Sequence, residues 1–283
     1  MPELPEVEIL ARHLRPLIRG KTIRGVEVRR SKVLAPTSPR QFRKTLRGAK
    51  FTGLSRRAKY LLFQLRARSS GQPLVLLGHL GMTGRIYLAR KSVPLPRHAA
   101  VVLDLGRENF IYEDTRYFGR LTLDFAAVKK LGPEPLAGGF DQSAFGRLLR
   151  RSRQAIKVRL LDQTLVAGIG NIYASEALFR ARISPRCPAQ KLTAAQVTAL
   201  WRAIRKTLGE AIAHGSTVPL NFGGNRSDGL FYFGRAPGAP DYYEERLKVY
   251  DREHQPCRRC GGLIRRIQQA GRGTFYCPHC QKA

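Results

Sequence analysis

Four cysteines near the carboxyl end constrain the fold of this chain more than any other feature. Cys257 and Cys260 form one C-x-x-C pair, and Cys277 and Cys280 form a second pair after sixteen intervening residues. Two such pairs bring four thiolates within tetrahedral reach of one Zn²⁺, and a cytosolic setting argues against two structural disulfides. Since four sulfur ligands leave no open coordination position for water, the spacing predicts a structural zinc ribbon.

The residues between the two cysteine pairs have the pattern of a short β-hairpin. Residues 263–267 and 274–276 are strand-like, and the tip at 268–273 carries Arg272 between two glycines. Arg272 is therefore predicted to be a displayed cation, for which a generic phosphate contact and a special role fit the spacing equally well. Cys187 lies far from the four ligands and is expected to be a buried thiol.

The charge of the chain limits its partners. Lysines and arginines outnumber acidic residues 51 to 20, which gives a formal net charge of +31. Such an excess indicates a polyanion, and an anionic membrane is the rival of nucleic acid. The chain has no unbroken apolar run of about 18 residues and no isolated basic amphipathic tail. Acidic residues at positions 3, 6 and 8 replace a basic signal region, so we expect a cytoplasmic or nucleoid-associated protein.

Hydrophobic patterning divides the chain into a β-rich part and a helical part. An amphipathic helix is predicted from Pro5, and the segments that follow are short, apolar and bounded by turns. These predicted strands are 21–28, 60–65, 74–77, 99–105 and 109–112.

A change of period follows the Pro- and Gly-rich stretch 129–139, where we expect a hinge. The pattern is helical from 141 to about 215, with a capping box formed by Thr193 and Gln196. Residues 221–241 are rich in Gly, Pro and aromatic side chains without a clear period, which predicts a long loop or lid.

The first residues contain a potential nucleophile. Removal of Met1 would expose the secondary amine of Pro2, flanked by carboxylates. An α-amino group titrates near pH 8, so roughly a tenth or more of it is neutral at pH 7. A proline iminium keeps its positive charge because its nitrogen has no second proton to lose, which makes it a strong electron sink. The same residues also fit a plain helix start at Pro5.

Three further motifs suggest contacts with nucleic acid. The Gly-rich turn 168–173 leads into a predicted helix, whose amides would accept a phosphate with Asn171 as cap or donor. A basic cluster at 56–59 immediately precedes a strand. Exposed Met82, Arg116 and Phe118 are residue types that wedge a duplex apart, although each also fits ordinary packing or surface.

Taken together, ordered motifs along nearly the whole chain resemble the formamidopyrimidine-DNA glycosylase and endonuclease VIII family of base-excision repair enzymes. The match is closest to the formamidopyrimidine branch. The motifs are PELPEVE at 2, RRAKYLL at 56, HLGMTG at 79, LGPEPL at 131, GIGNIYASEALF at 168, CRRCG at 257 and GRGTFYCPHCQ at 271.

The resemblance implies an α+β multidomain fold that binds DNA in a cleft between its halves. Residues 1–128 would form a catalytic β-sandwich domain with a long first helix, and residues 129–145 a hinge. Residues 146–245 would form a helix-two-turn-helix DNA-binding domain with a lesion-capping loop, followed by a zinc finger at 246–283.

The resemblance also implies catalytic roles. Pro2 would attack C1′ of a damaged nucleoside flipped out of the duplex, while Glu3 protonates the sugar ring oxygen and Glu6 orients the site. Lys59 would contact the lesion phosphate and transfer a proton in β-elimination. Arg272 would act in δ-elimination and in clamping a phosphate.

Other positions match residues that contact DNA in the family. Lys157 and Asn171 match phosphate-binding positions, whereas His98 and Arg153 lie at or beside DNA-contact positions. Met82, Arg116 and Phe118 match the residues that fill the void left by base flipping. Thr115 stands where the family usually has proline and Tyr117 where a second arginine is common, so the opposite-strand contacts are expected to differ.

These features predict a bifunctional DNA glycosylase and AP lyase, acting as a monomer on damaged double-stranded DNA with one structural Zn²⁺. Oxidised purines, namely formamidopyrimidines and 8-oxoguanine, are the first choice of substrate. Oxidised pyrimidines are the alternative within the family. A non-catalytic zinc-ribbon DNA-binding protein would fit the charge and the cysteines, but it would have no use for Pro2 and Glu3 together.

Overall fold

The computed structural model describes residues 2–68, 70–215 and 247–282, which belong to two compact units. Pro2 and Glu6–Lys129 belong to the first unit, whereas Glu3–Pro5 and the described residues from Lys130 onward belong to the second. Met1 and the predicted loop 221–241 lie outside the described residues. The peptide bond between Pro2 and Glu3 therefore joins the two units.

Helix α1 spans Leu4–Ile18 and begins as predicted beside Pro5, which fits the first helical turn. Within the first unit it buries one face through Val7, Leu10 and Leu14, each 0% exposed. Leu17 lies at the edge of the apolar stripe and is 41% exposed.

The first unit contains two four-stranded antiparallel sheets. One has the order β1-β6-β7-β5 and the other the order β2-β3-β4-β8. The strands are β1 Gly25–Val28, β2 Lys50–Arg57, β3 Tyr60–Arg66, β4 Pro73–His79, β5 Gly84–Arg90, β6 Ala99–Asp104, β7 Glu108–Asp114 and β8 Arg120–Thr122.

The two sheets pack face to face through aromatic side chains. Phe51 of β2 and Phe63 of β3 meet Phe110 of β7, with ring centroids 6.1 Å and 5.3 Å apart. Such ring pairs stabilise the core beyond the effect of burying their apolar area. The contacts confirm the predicted β-sandwich, which is completed by a 3-10 helix at Ser31–Leu34 and the helices α2 Pro39–Leu46 and α3 Ala126–Lys129.

The predicted strand 21–28 is shorter in the structure. Only Gly25–Val28 pairs as a strand, with β6. Thr22 instead forms an isolated antiparallel bridge with Lys50 of β2. The other four predicted strands coincide with β3, β4, β6 and β7 to within a few residues.

The second unit is built around helices. They are α4 Gln142–Arg150, α5 Ile156–Leu160, α6 Asn171–Ala181 and α7 Ala194–Gly215, with a 3-10 helix at Ala189–Lys191. Helix α6 is central, since eight consecutive residues from Ile172 to Phe179 are buried. The predicted capping box of α7 is formed: Thr193 Oγ1 accepts the Gln196 N–H at 3.2 Å, and Gln196 Oε1 accepts the Thr193 N–H at 2.9 Å.

The carboxyl-terminal hairpin consists of β9 Arg265–Gln269 and β10 Arg272–Tyr276. Ala270 and Gly271 connect the strands with φ values of 47° and 71°, as a tight two-residue hairpin requires. Phe275 and Cys277 share a small core with Phe179 of α6. With the sandwich and the helical region, this cysteine-bearing hairpin confirms the predicted α+β multidomain fold. Among the residues described, no helix is long and apolar enough to cross a bilayer.

Candidate active site and nucleic-acid interface

The Glu3 carboxylate lies at the amino terminus of α6, where it is 1% exposed. It accepts hydrogen bonds from the backbone amides of Gly170 at 2.6 Å, Ile172 at 2.8 Å and Tyr173 at 3.3 Å. These are amides that have no partner within the helix, and the positive end of the helix dipole favours an anion there. The side chain of Glu3 is therefore held in a fixed place by backbone donors that favour an anion.

Two glycines allow this close approach. A Cβ on Gly170 would lie 2.4 Å from Glu3 Cδ, and a Cβ on Gly168 would lie 2.6 Å from Leu4 Cδ1. Gly168 also has φ +96°, a conformation that favours glycine, and its carbonyl accepts the Leu4 N–H at 3.0 Å. The two glycines of this Gly-x-Gly sequence thus allow the backbone before α6 to pack closely against Glu3 and Leu4.

Three of the amides at this helix start, which was predicted to accept a phosphate, donate to Glu3 in the structure. The Glu3 carboxylate occupies them, so a second anion at the same amides would be repelled. The helix begins at Asn171, within the predicted Gly-rich turn 168–173, and the N-cap is Gly170, which has no side chain. Asn171 is consequently not the cap.

The side chain of Asn171 instead connects two other predicted site residues. Its Nδ2 donates to the Gly273 carbonyl at 2.9 Å, which ties α6 to the residue after Arg272. Its Oδ1 accepts a hydrogen bond from Lys157 Nζ. The structure therefore brings Glu3, Asn171, Lys157 and the hairpin tip together within the second unit.

Lys157 is 0% exposed, which is unusual for a lysine. Burial, and then the charge of Arg272, lower its pKa to about 8, while the charge of Glu3 opposes this shift. A negative charge added beside Lys157 would therefore stabilise its ammonium group. Arg272 and Arg153, by contrast, are exposed, and Arg153 lies in the connection between α4 and α5.

The first unit carries the remaining predicted catalytic residues. Pro2 is half-buried, whereas Glu6 and Lys59 are only 3% and 6% exposed. Lys59 occupies the two-residue turn between β2 and β3, next to Ala58 with φ 52°. A buried lysine in a strained turn is unusual for surface structure and typical of a functional position.

Arg56 supports the turn that carries Lys59. Its Nη1 donates to the Ala58 carbonyl at 2.9 Å, and its Nε donates to Glu8 Oε2 at 2.8 Å. Burial alone would raise the pKa of Glu8, but hydrogen bonds from Arg56 and Arg12 hold that pKa below its usual value. Glu8 is therefore a charged support of the turn.

His79 is a site residue that the sequence analysis missed. It pairs with Tyr60 across β3 and β4, with ring centroids 4.7 Å apart, and its Nδ1 accepts the Gly81 N–H at 3.2 Å. Burial, followed by the charges of Lys59 and Arg120, lowers its pKa to about 4. His79 is thus a neutral ring between Lys59 and the turn that bears Met82. The register of β3 with β4, which sets this proximity, has no local sequence signal.

The three predicted wedge residues lie on two neighbouring turns. Met82 is 43% exposed and Phe118 is 51% exposed. Arg116 joins them, because its Nη1 lies 3.5 Å from Met82 Sδ and its guanidinium carbon lies 5.0 Å from the centroid of the Phe118 ring. The structure therefore places all three in one exposed cluster.

Asp114 anchors the two turns of the wedge. The side chain is 0% exposed and accepts hydrogen bonds from Thr83 Oγ1 at 2.6 Å, the Arg116 N–H at 3.1 Å and the Gly119 N–H at 2.8 Å. A buried carboxylate with three donors is stable, whereas loss of one partner would leave it uncompensated. The exposed apolar tips of the wedge are thus fixed to a rigid base.

His98, another predicted DNA contact, is half-buried at the start of β6. Its Nδ1 lies 3.3 Å from Tyr117 Oη. The tyrosine at the departure from the family pattern therefore touches a predicted DNA-contact residue.

The four cysteines Cys257, Cys260, Cys277 and Cys280 form one cluster. Their sulfur atoms lie within 4.8 Å of one another, and none is in a disulfide. The pairs Cys257–Cys280 and Cys260–Cys277 have sulfur separations of 3.9 Å and 3.5 Å. Zn–S bonds near 2.3 Å in a tetrahedron require about 3.8 Å between sulfurs. The donor set fits one structural Zn²⁺, as predicted.

Family models match three consecutive parts of the chain. Residues 1–121 match the formamidopyrimidine-DNA glycosylase N-terminal domain, and residues 131–221 match its H2TH domain. Residues 255–283 match a zinc finger found in FPG and IleRS.

Whole proteins and solved structures match over the full length. A formamidopyrimidine-DNA glycosylase of Desulfitobacterium hafniense is 40% identical, with 99% of this chain and 100% of the relative covered. One of Chloroflexus aurantiacus is 41% identical, with 99% and 98% covered. A crystal structure of the Lactococcus lactis enzyme with DNA containing N7-benzyl-Fapy-dG is similar with a TM-score of 0.87 and 36% identity, and covers 100% of both chains.

The second unit thus holds a buried carboxylate at the start of α6 and a buried lysine bonded to Asn171, and the first holds a buried lysine and an exposed cluster of Met82, Arg116 and Phe118. This geometry and the full-length matches agree. The chain belongs to the formamidopyrimidine-DNA glycosylase family and is a base-excision repair DNA glycosylase with AP lyase activity.

Proposed function

We propose that this enzyme excises oxidised purines, namely formamidopyrimidines and 8-oxoguanine, from duplex DNA and then nicks the strand by β,δ-elimination. The observation that carries the proposal is the Glu3 carboxylate, 1% exposed and bonded to the amides at the start of α6. A peptide bond joins this residue to Pro2. Once Met1 is removed, a secondary amine is therefore one residue from a fixed carboxylate.

The first step is base excision. The lone pair of the neutral Pro2 nitrogen forms a bond to C1′, and the bond between C1′ and the damaged base breaks with its electrons leaving on the base. The new ammonium must lose its proton before the sugar ring opens. Glu3, held as a carboxylate, takes that proton and gives it to the ring oxygen as the C1′–O4′ bond breaks. The product is the iminium, and Glu6 helps to orient the site.

Strand cleavage follows from the positive charge of the iminium. Loss of a C2′ proton sends its electron pair toward the iminium nitrogen, and the 3′ phosphate leaves. Lys59, buried in the turn between β2 and β3, carries out proton transfer and phosphate contact in this step. A second elimination expels the 5′ phosphate with the help of Arg272, and water then hydrolyses the link to Pro2.

DNA is held by cations and by the wedge. Lys157, Asn171, Arg153 and His98 contact the phosphate backbone, which gives affinity and register. Flipping the damaged nucleotide costs a few kcal/mol, roughly the unstacking of one base step. Met82, Arg116 and Phe118 offset part of that cost because they fill the vacated space.

The zinc ion, when bound to the four cysteines, stabilises the hairpin that carries Arg272 and supplies no open coordination position. For the domain organisation we retain residues 1–128 as the catalytic β-sandwich, 129–145 as the hinge, 146–245 as the helix-two-turn-helix domain and 246–283 as the zinc finger. The split of contacts near Lys129 supports the first boundary.

The enzyme acts on damaged duplex DNA as a monomer. Its relatives are bacterial, where the chromosome lies in the cytoplasm, and we assign this enzyme to the cytoplasm on that ground. The net charge of +31 supports association with the nucleoid.

Oxidised pyrimidines are a second candidate substrate, because the Lactococcus lactis enzyme has also been crystallised with DNA containing an oxidised pyrimidine. Single-turnover base release from duplexes with 8-oxoguanine, a formamidopyrimidine or an oxidised pyrimidine separates the two. We expect faster release of both purine lesions. Release confined to the oxidised pyrimidine would contradict the proposed substrate, and no release from any lesion would favour a non-catalytic DNA-binding protein.

A further inference from the structure

Three polar side chains form a chain of hydrogen bonds on the surface of the first unit. Arg30 Nε donates to Tyr117 Oη at 3.2 Å, and Tyr117 Oη lies 3.3 Å from His98 Nδ1. The guanidinium carbon of Arg30 also lies 5.6 Å from the centroid of the Tyr117 ring. The tyrosine therefore holds the arginine by both its hydroxyl and its ring.

The backbone of Tyr117 is strained. Its φ of 53° lies in the left-handed region, which a bulky residue seldom adopts. The bonds from the flanking Arg116 and Gly119 amides to Asp114 keep the turn in this shape. Strain of this kind is found preferentially at active sites and ligand-binding sites. Since Tyr117 lies between Arg116 and Phe118, it belongs to the same turn as the wedge.

Arg30 has donors to spare for a ligand. It is exposed, and its bond to Tyr117 uses Nε, which leaves the planar fork of Nη1 and Nη2. Its neighbour Arg29 is also exposed but has its Nε 3.6 Å from Glu27 Oε1. The two adjacent arginines therefore differ in what holds them, although both carry the same charge.

The hydrogen-bond pattern also determines which ring nitrogen of His98 can donate to a ligand. If Arg30 donates to the Tyr117 oxygen and the Tyr117 hydroxyl donates to His98 Nδ1, the proton of the neutral imidazole lies on Nε2. The imidazole then has one donor beyond the cluster. Two separate donor groups, the arginine fork and the imidazole N–H, are thus ordered by one tyrosine. An arginine fork matches the geometry of phosphate oxygens.

We propose that Arg30 is a DNA-binding residue, and that Tyr117 positions Arg30 and His98 to bind one backbone phosphate beside the Met82–Arg116–Phe118 wedge. This inference rests on the proposed binding of DNA at the wedge. It assigns a DNA contact to a residue in the connection after β1, far in sequence from the other contacts. It also gives Tyr117 a function at the position where the family commonly has arginine.

The test is the salt dependence of binding to a duplex with a tetrahydrofuran abasic analogue. This analogue has no C1′ leaving group, so binding is measured without catalysis. We expect Arg30→Ala to weaken binding about fivefold to twentyfold at low salt, and to reduce the slope of log affinity against log salt by about one, as loss of one phosphate contact requires. Arg29→Ala, the matched control, should change affinity less than about twofold.

Two further variants separate positioning from charge. Arg30→Lys keeps the charge and should retain the wild-type salt slope. Tyr117→Phe keeps the ring but removes the hydroxyl. It should weaken binding about threefold in the wild-type background. It should have no effect on binding in the Arg30→Ala background, because the two changes act on one contact. Additive losses would overturn the positioning role of Tyr117, and an unchanged affinity and slope in Arg30→Ala would overturn the phosphate contact.

The reaction itself distinguishes this inference from the proposed function. Arg29→Ala should give as much borohydride-trapped adduct as the wild type at saturating abasic duplex, since Arg29 is assigned neither to the reacting atoms nor to DNA binding. Absence of any adduct with the wild type would contradict the imine mechanism, yet the binding comparison would still decide the role of Arg30. A normal wild-type adduct combined with unaltered binding by Arg30→Ala would contradict only the role of Arg30.

Discussion

Glu3 accepts the Gly170 N–H at 2.6 Å, although 167 positions separate the two residues in the sequence. The bond connects the residue after Pro2 to the start of α6. It explains why a Gly-rich turn precedes this helix, because a side chain at Gly170 would collide with Glu3. The same carboxylate that accepts the amides of the helix is the one that we propose moves a proton during catalysis.

The first prediction concerns this carboxylate. Glu3→Gln keeps the shape but places an amide N–H₂ among backbone donors and removes the proton carrier. We expect base release to fall about 10²-fold to 10⁴-fold, the range of general acid–base catalysis. An abasic sugar that is already ring-open needs no such acid, so adduct formation with abasic DNA should fall much less. Parallel single-turnover measurements on lesion and abasic duplexes check this, and equal losses on both would argue against the proton-carrier role.

A second prediction tests the fit of the turn to Glu3. Gly170→Ala would place a Cβ 2.4 Å from Glu3 Cδ, so the carboxylate must move. We expect a loss of about 1–3 kcal/mol in the free energy of unfolding, as for other overpacking changes, and a loss of base release. Gly209→Ala in α7 is the control, because its Cβ meets nothing within 4 Å. That change should be neutral or stabilise by up to about 1 kcal/mol, and the same behaviour for both variants would contradict the account.

Local signals predicted the elements of this fold well. The capping box of Thr193 and Gln196 and the paired cysteines act over a few residues, and both formed as expected. Short apolar runs bounded by turns likewise located β3, β4, β6 and β7. Such signals are readable because each depends on backbone geometry within one element.

Long-range contacts were not readable in the same way. The amides at the start of α6 are suited to any anion, and nothing in the local sequence says that Glu3 is that anion. His79 was missed because its burial beside Lys59 depends on the pairing of β3 with β4. The Arg30–Tyr117–His98 chain depends on three separate connections meeting on one surface.

A third prediction concerns pH. Burial and Arg272 lower the pKa of Lys157 to about 8, below its ordinary value. In the free protein, Lys157 therefore loses its proton as the pH rises through this value. Its buried charge lowers the stability of the fold at lower pH, and this penalty is relieved as the proton is lost. A phosphate needs the charged form, so affinity for the tetrahydrofuran duplex should fall above about pH 8, by at most about tenfold per pH unit.

The matched variant for this effect is Lys157→Met, which keeps the apolar stem without a titratable group. Titrations of binding from about pH 7 to 9.5 should be flatter for Lys157→Met than for the wild type. If both proteins lose affinity in parallel over this range, the ammonium group of Lys157 does not contact the phosphate.

A fourth prediction concerns the metal. Removal of zinc by a chelator, or the variant Cys260→Ser, should release the hairpin that carries Arg272, because the small core around Phe275 cannot hold it alone. Hydrogen exchange should then accelerate at the amides of β9 and β10, while those of β3 stay protected. Cys187→Ser, outside the cluster, should keep both zinc and protection. Full protection of β9 and β10 after zinc loss would show that the ion is dispensable for the hairpin.

Borohydride trapping on a duplex with an abasic site tests most directly whether Pro2 is the nucleophile. The protein must first be shown by intact mass to begin at Pro2, because with Met1 attached the Pro2 nitrogen is an amide and cannot attack. We expect a stable covalent adduct, and peptide mapping should place the sugar fragment on Pro2. No adduct from correctly processed protein that still binds the duplex, or an adduct on a lysine instead, would contradict the claim that Pro2 is the nucleophile.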